Sequence, residues 1–197
     1  WTPERKLTGI GVNVACPAQV VESQSYISAD FWDDTRKELR SRYGQDVYIY
    51  PMISAAGDQS PHPQLRKATE ARMRERLRIT ETRQIGRRIA SAVEEAYPAA
   101  ASDVRADVVF RHHVEELKLP VRKVTAADLE WAKNEIERLE KAPETQKNRF
   151  LLLKRARQVQ ARYREQERVT EFPMELHVIR LGDVALATNP FELFLDY

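Results

Sequence analysis

The stretch "DVYIYPMISAAGDQSPH", residues 46–62, decides how this chain is read. Its first half is a mostly apolar run from Val47 to Ile53, the pattern of a buried strand. Its second half is polar, carries Gly57 and leads into a long charged helical pattern. Strands that alternate with helices are the signature of an α/β sheet. The loop also poses a chemical question, because Asp58, Ser60 and His62 fall within five residues directly after the strand. Ser60 precedes Pro61, and Pro is favoured at the first helical position, so a helix N-cap is the simplest role for Ser60. The loop is neither a G-x-S-x-G elbow nor a P-loop. A site role for Ser60 stays open beside the cap.

Upstream, "LTGIGVNV" alternates Ile10, Val12 and Val14 with small or polar residues, which predicts a strand over 7–14. A polar loop follows. Asp30 or Ser28 then caps a helix running to about Tyr43, with Gly44 as its stop. Downstream, 64–97 predicts one long helix with Ile85, Ile89 and Val93 on one face and Pro98 as its end. Val104, Ala106, Val108 and Phe110 alternate, which predicts a third strand over 104–117 with one buried face.

Residues 125–141 predict a helix opened by the capping box "TAAD". Residues 145–168 predict another, with Leu152, Ala156, Val159 and Tyr163 in a narrow apolar stripe. With Pro143 between them, the two form an antiparallel hairpin. "MELHVIRLGDVALATNP" predicts two strands joined at Gly182-Asp183. A helix is expected to start after "NPFE", which puts Glu192 either on a cation or in a helix's first turn. The expected fold is therefore α/β, a mixed sheet with flanking helices and an inserted antiparallel helical hairpin at 125–168.

Of the 197 residues, 42% are hydrophobic, yet no run of 18 apolar residues exists to span a membrane. The net charge of +2 does not by itself call for a polyanionic partner. Residues 64–88 hold nine Lys or Arg against three Glu, and 144–168 hold eight against three. Neither stretch has a regular interleaving of aromatics, with only Phe150 and Tyr163 in the second, or a glycine-rich loop, so solvated helix faces are expected rather than nucleic-acid binding. A helical module that binds partners through the basic hairpin is a further reading.

Cys16 is the single cysteine, so no internal disulfide forms. It is either a small buried hydrophobe or, lying just past a strand end, a site residue. His112 and His113 with Glu115 and Glu116 are zinc-capable types. Adjacent strand residues point to opposite faces, however, and no H-E-x-x-H spacing is present, so solvent-facing or cross-strand roles are expected. His177 shares a strand face with Glu175 and Ile179, where a polar partner is expected. The chain starts at Trp1 rather than Met, and it reads as an excerpt of a longer protein.

Three stretches together resemble the neutral/alkaline (non-lysosomal type) ceramidase family. Gly57-Asp58-Gln59-Ser60-Pro61-His62 is similar to that family's G-D-V-S-P-N motif, and "IGRRIASAVEEA" to the end of the helix that follows it. "HVIRLGDVALATNPFE" is similar to a strand pair whose terminal glutamate binds zinc in the family. The segment "GVNVACPAQVVESQSYISADFWDDTR" resembles the family's strand-loop-helix, whereas the hairpin at 125–168 has no counterpart and reads as an insertion.

The resemblance implies zinc-dependent hydrolysis of an amide in an N-acyl lipid or related substrate, with zinc polarising the carbonyl. Ser60 would be the essential serine, with Asp58 and His62 beside it in the catalytic loop, and Glu192 would be a zinc ligand. The family's V-H-G-type stretch corresponds to Val14-Ala15-Cys16-Pro17, which puts Cys16 where a histidine ligand stands. A second histidine would lie upstream of Trp1 and a tyrosine beyond Tyr197, and His62 replaces the family's Asn. A secreted or periplasmic location goes with the resemblance. The other reading is a catalytically inactive relative of that fold that binds a ligand or partner.

Overall fold

The computed structural model describes residues 1–196. The protein is an α/β protein with two compact units. The first comprises Trp1–Val108 with Phe191–Tyr197, and the second Val109–Pro190.

Unit 1 is built on a βαβ element. Strand β1 (Gly9–Val14) and strand β2 (Tyr48–Ile53) pair in parallel, Gly9 opposite Tyr48 and Val14 opposite Ile53, with helix α1 (Phe31–Tyr43) as the crossover. Asp30 is the cap of α1, its carboxylate accepting from the Phe31 N–H, and Gly44 follows the last turn at φ 119°. Helix α2 (Lys67–Leu77) and helix α3 (Glu81–Ser102) follow. Val12, Leu39, Val47, Ile49 and Ala90 form the core, with Ile89 and Val93 of α3 packed against it. Each apolar side chain removed from water there contributes about 1.5–3 kcal/mol for the larger residues. Gly86 lets α3 approach α1 closely: a Cβ on it would lie 2.8 Å from the Thr35 backbone nitrogen.

Two expectations for the long helix are corrected. It breaks between α2 and α3, where Arg78 turns left-handed at φ 52° and Thr80 caps α3 by accepting from the Arg83 N–H. Pro98 does not end α3, which runs on to Ser102. Pro98 costs its own backbone donor, but the "AAA" after it has the highest helix propensity and carries the last turn.

Unit 2 holds strand β3 (Phe110–Pro120), helix α4 (Ala126–Glu140), helix α5 (Arg149–Glu165), strand β4 (Glu171–Leu181) and strand β5 (Val184–Thr188). The sheet order is β3-β4-β5, antiparallel throughout, with Gly182 at φ 61° in the turn between β4 and β5. Parallel and antiparallel pairings thus occupy separate sheets instead of one mixed sheet. The helical hairpin is present between β3 and β4. The capping box of α4 is complete, Thr125 Oγ1 accepting from the Asp128 N–H and the Asp128 carboxylate from the Thr125 N–H. Ala132, Leu139, Leu153 and Ala156 are the hairpin's buried contacts. Helix α5 starts later than expected, after Asn148 turns left-handed.

The third strand also differs from expectation. It begins at Phe110, which is opposite Leu181; β4 ends there at the Gly182 turn, whose N–H donates to the Val109 carbonyl, so the β3–β4 ladder does not extend back over 104–109. Nor is one face of β3 buried: Phe110 is 60% exposed and Val114 44%.

Candidate active-site loop

Strand β2 delivers its chain to a loop that folds on itself and onto a distant segment. The Gln59 N–H donates to the Ala56 carbonyl, closing a turn around Gly57 and Asp58. The Gly57 N–H donates to the Leu193 carbonyl at 2.7 Å, and the Leu195 N–H donates to Asp58 Oδ1 at 3.0 Å. A Cβ on Gly57 would lie 2.5 Å from the Glu192 carbonyl oxygen, so the approach of the two backbones requires glycine. Residues 191–196 form no helix, and the loop takes up the Leu193 carbonyl and the Leu195 N–H. Glu192 is therefore not in a helix's first turn, and its exposed side chain extends from a segment docked on Gly57.

Ser60 is not a helix cap. Helix α2 starts seven residues on, at Lys67, and Ser60 Oγ instead accepts from the His62 N–H at 3.2 Å, a local serine turn. His62 is half-buried, and its Nε2 lies 3.5 Å from the Glu22 carboxylate. Glu22 carries no motif, and its part in the loop is visible only in three dimensions.

Asp30 places Glu22. It is buried, sits at φ 53° and accepts from the Val21 N–H at 2.9 Å as well as from Phe31, while its own N–H donates to Ser28 Oγ. Three hydrogen bonds offset the cost of a left-handed conformation in a non-glycine residue. One residue thus caps α1 and organises the loop that brings a carboxylate to His62.

Cys16 is half-buried, with its thiol directed at the Pro17 carbonyl at 3.7 Å. Burial, and then the negative charge of Asp30, push its pKa up and keep it a thiol. A cysteine that ligates zinc does so as a thiolate. Among the described residues no three His, Cys, Asp or Glu side chains converge as a metal-binding group. Asp58, Ser60 and His62 share one loop, and Glu192 joins it through its backbone.

His112 and His113 lie, as expected, on opposite faces of β3. His112 Nε2 is 2.9 Å from His177 Nδ1, and His113 lies 3.7 Å from Glu115. A separate groove of about 730 Å³ beside the helical hairpin is lined by Arg122, Lys123, Trp131, Arg155 and Arg162 among others. The Arg155 guanidinium sits 5.9 Å from the Trp131 ring. Among the described residues no helix is long and apolar enough to cross a membrane.

No family model, curated protein or solved structure matches this chain. The ceramidase resemblance rests on its short motifs alone.

Proposed function

We propose that the loop at 57–62 and the segment docked on it form the substrate-facing part of a ceramidase-like amide-hydrolase site acting on an N-acyl lipid or a related amide. What carries this reading is the docking itself. Two of the stretches that bear the resemblance, 135 residues apart at Gly57 and Glu192, are joined by the Gly57–Leu193 and Leu195–Asp58 hydrogen bonds.

The roles follow from the groups available. The Ser60 hydroxyl is exposed and keeps a donor proton to orient an amide carbonyl. His62 is the proton-handling group, with the Glu22 carboxylate beside its ring. Asp58 is a positioning residue that holds the C-terminal segment. Glu192 is the candidate zinc ligand of the resemblance, and the zinc itself belongs to the proposal.

Assaying release of fatty acid from an N-acyl sphingoid amide tests this. The unsubstituted chain is expected to turn over, Ser60→Ala and His62→Ala to lose about a hundredfold or more in kcat, and Glu22→Gln to lose less. Turnover left intact by both Ser60→Ala and His62→Ala overturns the assignment.

A second reading, ligand binding without turnover, is favoured by one observation. The Asp58 carboxylate is committed to the Leu195 backbone rather than to Ser60 or His62. Binding of the amide without product, weakened by Ser60→Ala, supports that reading over the first.

A further inference from the structure

The three-stranded sheet of unit 2 holds a second arrangement of titratable groups, which the amidase reading does not use. Strands β3 and β4 pair continuously from Phe110–Leu181 to Pro120–Glu171, so side chains on each face are fixed in register. His112 stands opposite Ile179, and His177 stands opposite Val114. The two histidines are therefore diagonal neighbours on one face. Their rings lie 15° from parallel with centroids 5.1 Å apart, and His112 Nε2 is 2.9 Å from His177 Nδ1. The other ring nitrogen of His177, Nε2, is 2.7 Å from the Glu175 carboxylate.

That chain of contacts orders the protons. The carboxylate accepts from Nε2–H of His177, which leaves Nδ1 with a free lone pair. His112 then donates its Nε2–H to that lone pair.

The geometry points to a binding site for a late first-row divalent cation, of the imidazole-preferring kind such as Cu²⁺ or Zn²⁺, between His112 Nε2 and His177 Nδ1. Two metal–nitrogen bonds of about 2.0–2.1 Å at a tetrahedral or square angle put the nitrogens about 3 Å apart. The observed 2.9 Å is already in that range, and both rings must turn off the line joining the two nitrogens for their lone pairs to meet at the metal. His112 takes its other tautomer: the Nε2 proton is given up to solvent, Nδ1 gains one from solvent, and no net charge changes hands. Glu175 acts behind His177, fixing its tautomer and orientation as carboxylates behind metal-bound histidines do. His112 is exposed and His177 half-buried, which leaves room for water or a partner's side chain to complete the coordination.

His113 supplies an internal control. It is the next residue along β3, on the opposite face, and faces Glu115.

The test is titration of the chain with Cu²⁺ and, separately, Zn²⁺, followed by calorimetry and by the imidazole resonances in NMR. One equivalent is expected. His112→Ala or His177→Ala should weaken it at least tenfold, and Glu175→Gln by about tenfold, while His113→Ala stays within twofold. In the unsubstituted chain, Cu²⁺ should broaden the His112 and His177 resonances first and leave His113 sharp, a readout that needs no variant to fold.

Glu192→Ala separates this site from the zinc of the amidase reading. Binding retained in Glu192→Ala and lost in His177→Ala supports the histidine pair. The reverse pattern, equal losses in His113→Ala, or no metal bound at all, overturns it.

Discussion

The two units use similar sequence patterns to different ends. In unit 1 the alternating residues of β1 and β2 find a second layer, so Val12 and Ile49 are buried beneath α1 and α3. In unit 2 the β3–β4–β5 sheet alternates as regularly, yet Phe110, Val114, Val178, Leu181, Val184 and Leu186 are all exposed. The hairpin in that unit buries its stripe mainly between its own two helices, at Ala132, Leu139, Leu153 and Ala156. Period-two alternation therefore says which residues share a face. It does not say whether anything covers that face, because cover depends on the rest of the fold.

Substitutions in the two units should separate this contrast. The largest effect is expected from Leu39→Ala, which opens a cavity in the core of unit 1 and should cost about 2–5 kcal/mol in chemical denaturation. Gly86→Ala comes next, at about 1–3 kcal/mol, since its Cβ meets α1 backbone atoms that cannot move aside cheaply. Thr125→Ala in unit 2 should cost about 1 kcal/mol through loss of the α4 cap.

The same cap is sensitive to acid. Thr125, chiefly through its backbone N–H, holds the Asp128 carboxyl below its usual range. A depressed carboxylate pKa stabilises the folded state above the unfolded value, and that stabilisation is lost as pH falls through the folded one. The helical signal of the hairpin should be pH-independent near neutrality and weaken on the acid side of the ordinary Asp range.

The smallest effect belongs to Phe110→Ser, within about 0.5 kcal/mol, because that side chain is already in water. A loss as large as that of Leu39→Ala would show that the face of β3 is covered in solution and would break the contrast. Cys16 sharpens it from the unit 1 side. With its pKa raised, the thiol should react with iodoacetamide more slowly at pH 8 than an unstructured cysteine, and the difference should disappear on unfolding.

Where local chemistry decides structure, the sequence was legible. Asp30 and Gly44 bracket α1, Thr125 and Asp128 open α4, and Gly182 turns β4 into β5. It was misleading where a tertiary contact overrode local preference. "RMRERLRIT" has no Gly or Pro, and every residue before Ile79 favours helix. The chain still breaks at Arg78, which brings α2 back so that Glu70 accepts from buried Gln84 and from Arg88, with Arg74 donating to Gln84. Polar pairings of that kind leave no periodic trace. The candidate loop shows both cases. Asp58, Ser60 and His62 could be picked out by their density, whereas Glu22 and the Leu195 bond to Asp58 depend on contacts 40 and 137 residues away in the chain.

Helix α2 has a kinetic consequence. It buries none of its residues and is joined to α3 largely by the Glu70, Arg74, Gln84 and Arg88 side chains. Ion pairs and amide bonds at a wet surface give little resistance to opening compared with apolar burial. Backbone amides of α2 should exchange with deuterium well before those of α1. Trypsin, offered Lys67, Arg72, Arg74 and Arg76 in that helix and Arg78 just past it, should make its first cut there while the βαβ core remains intact.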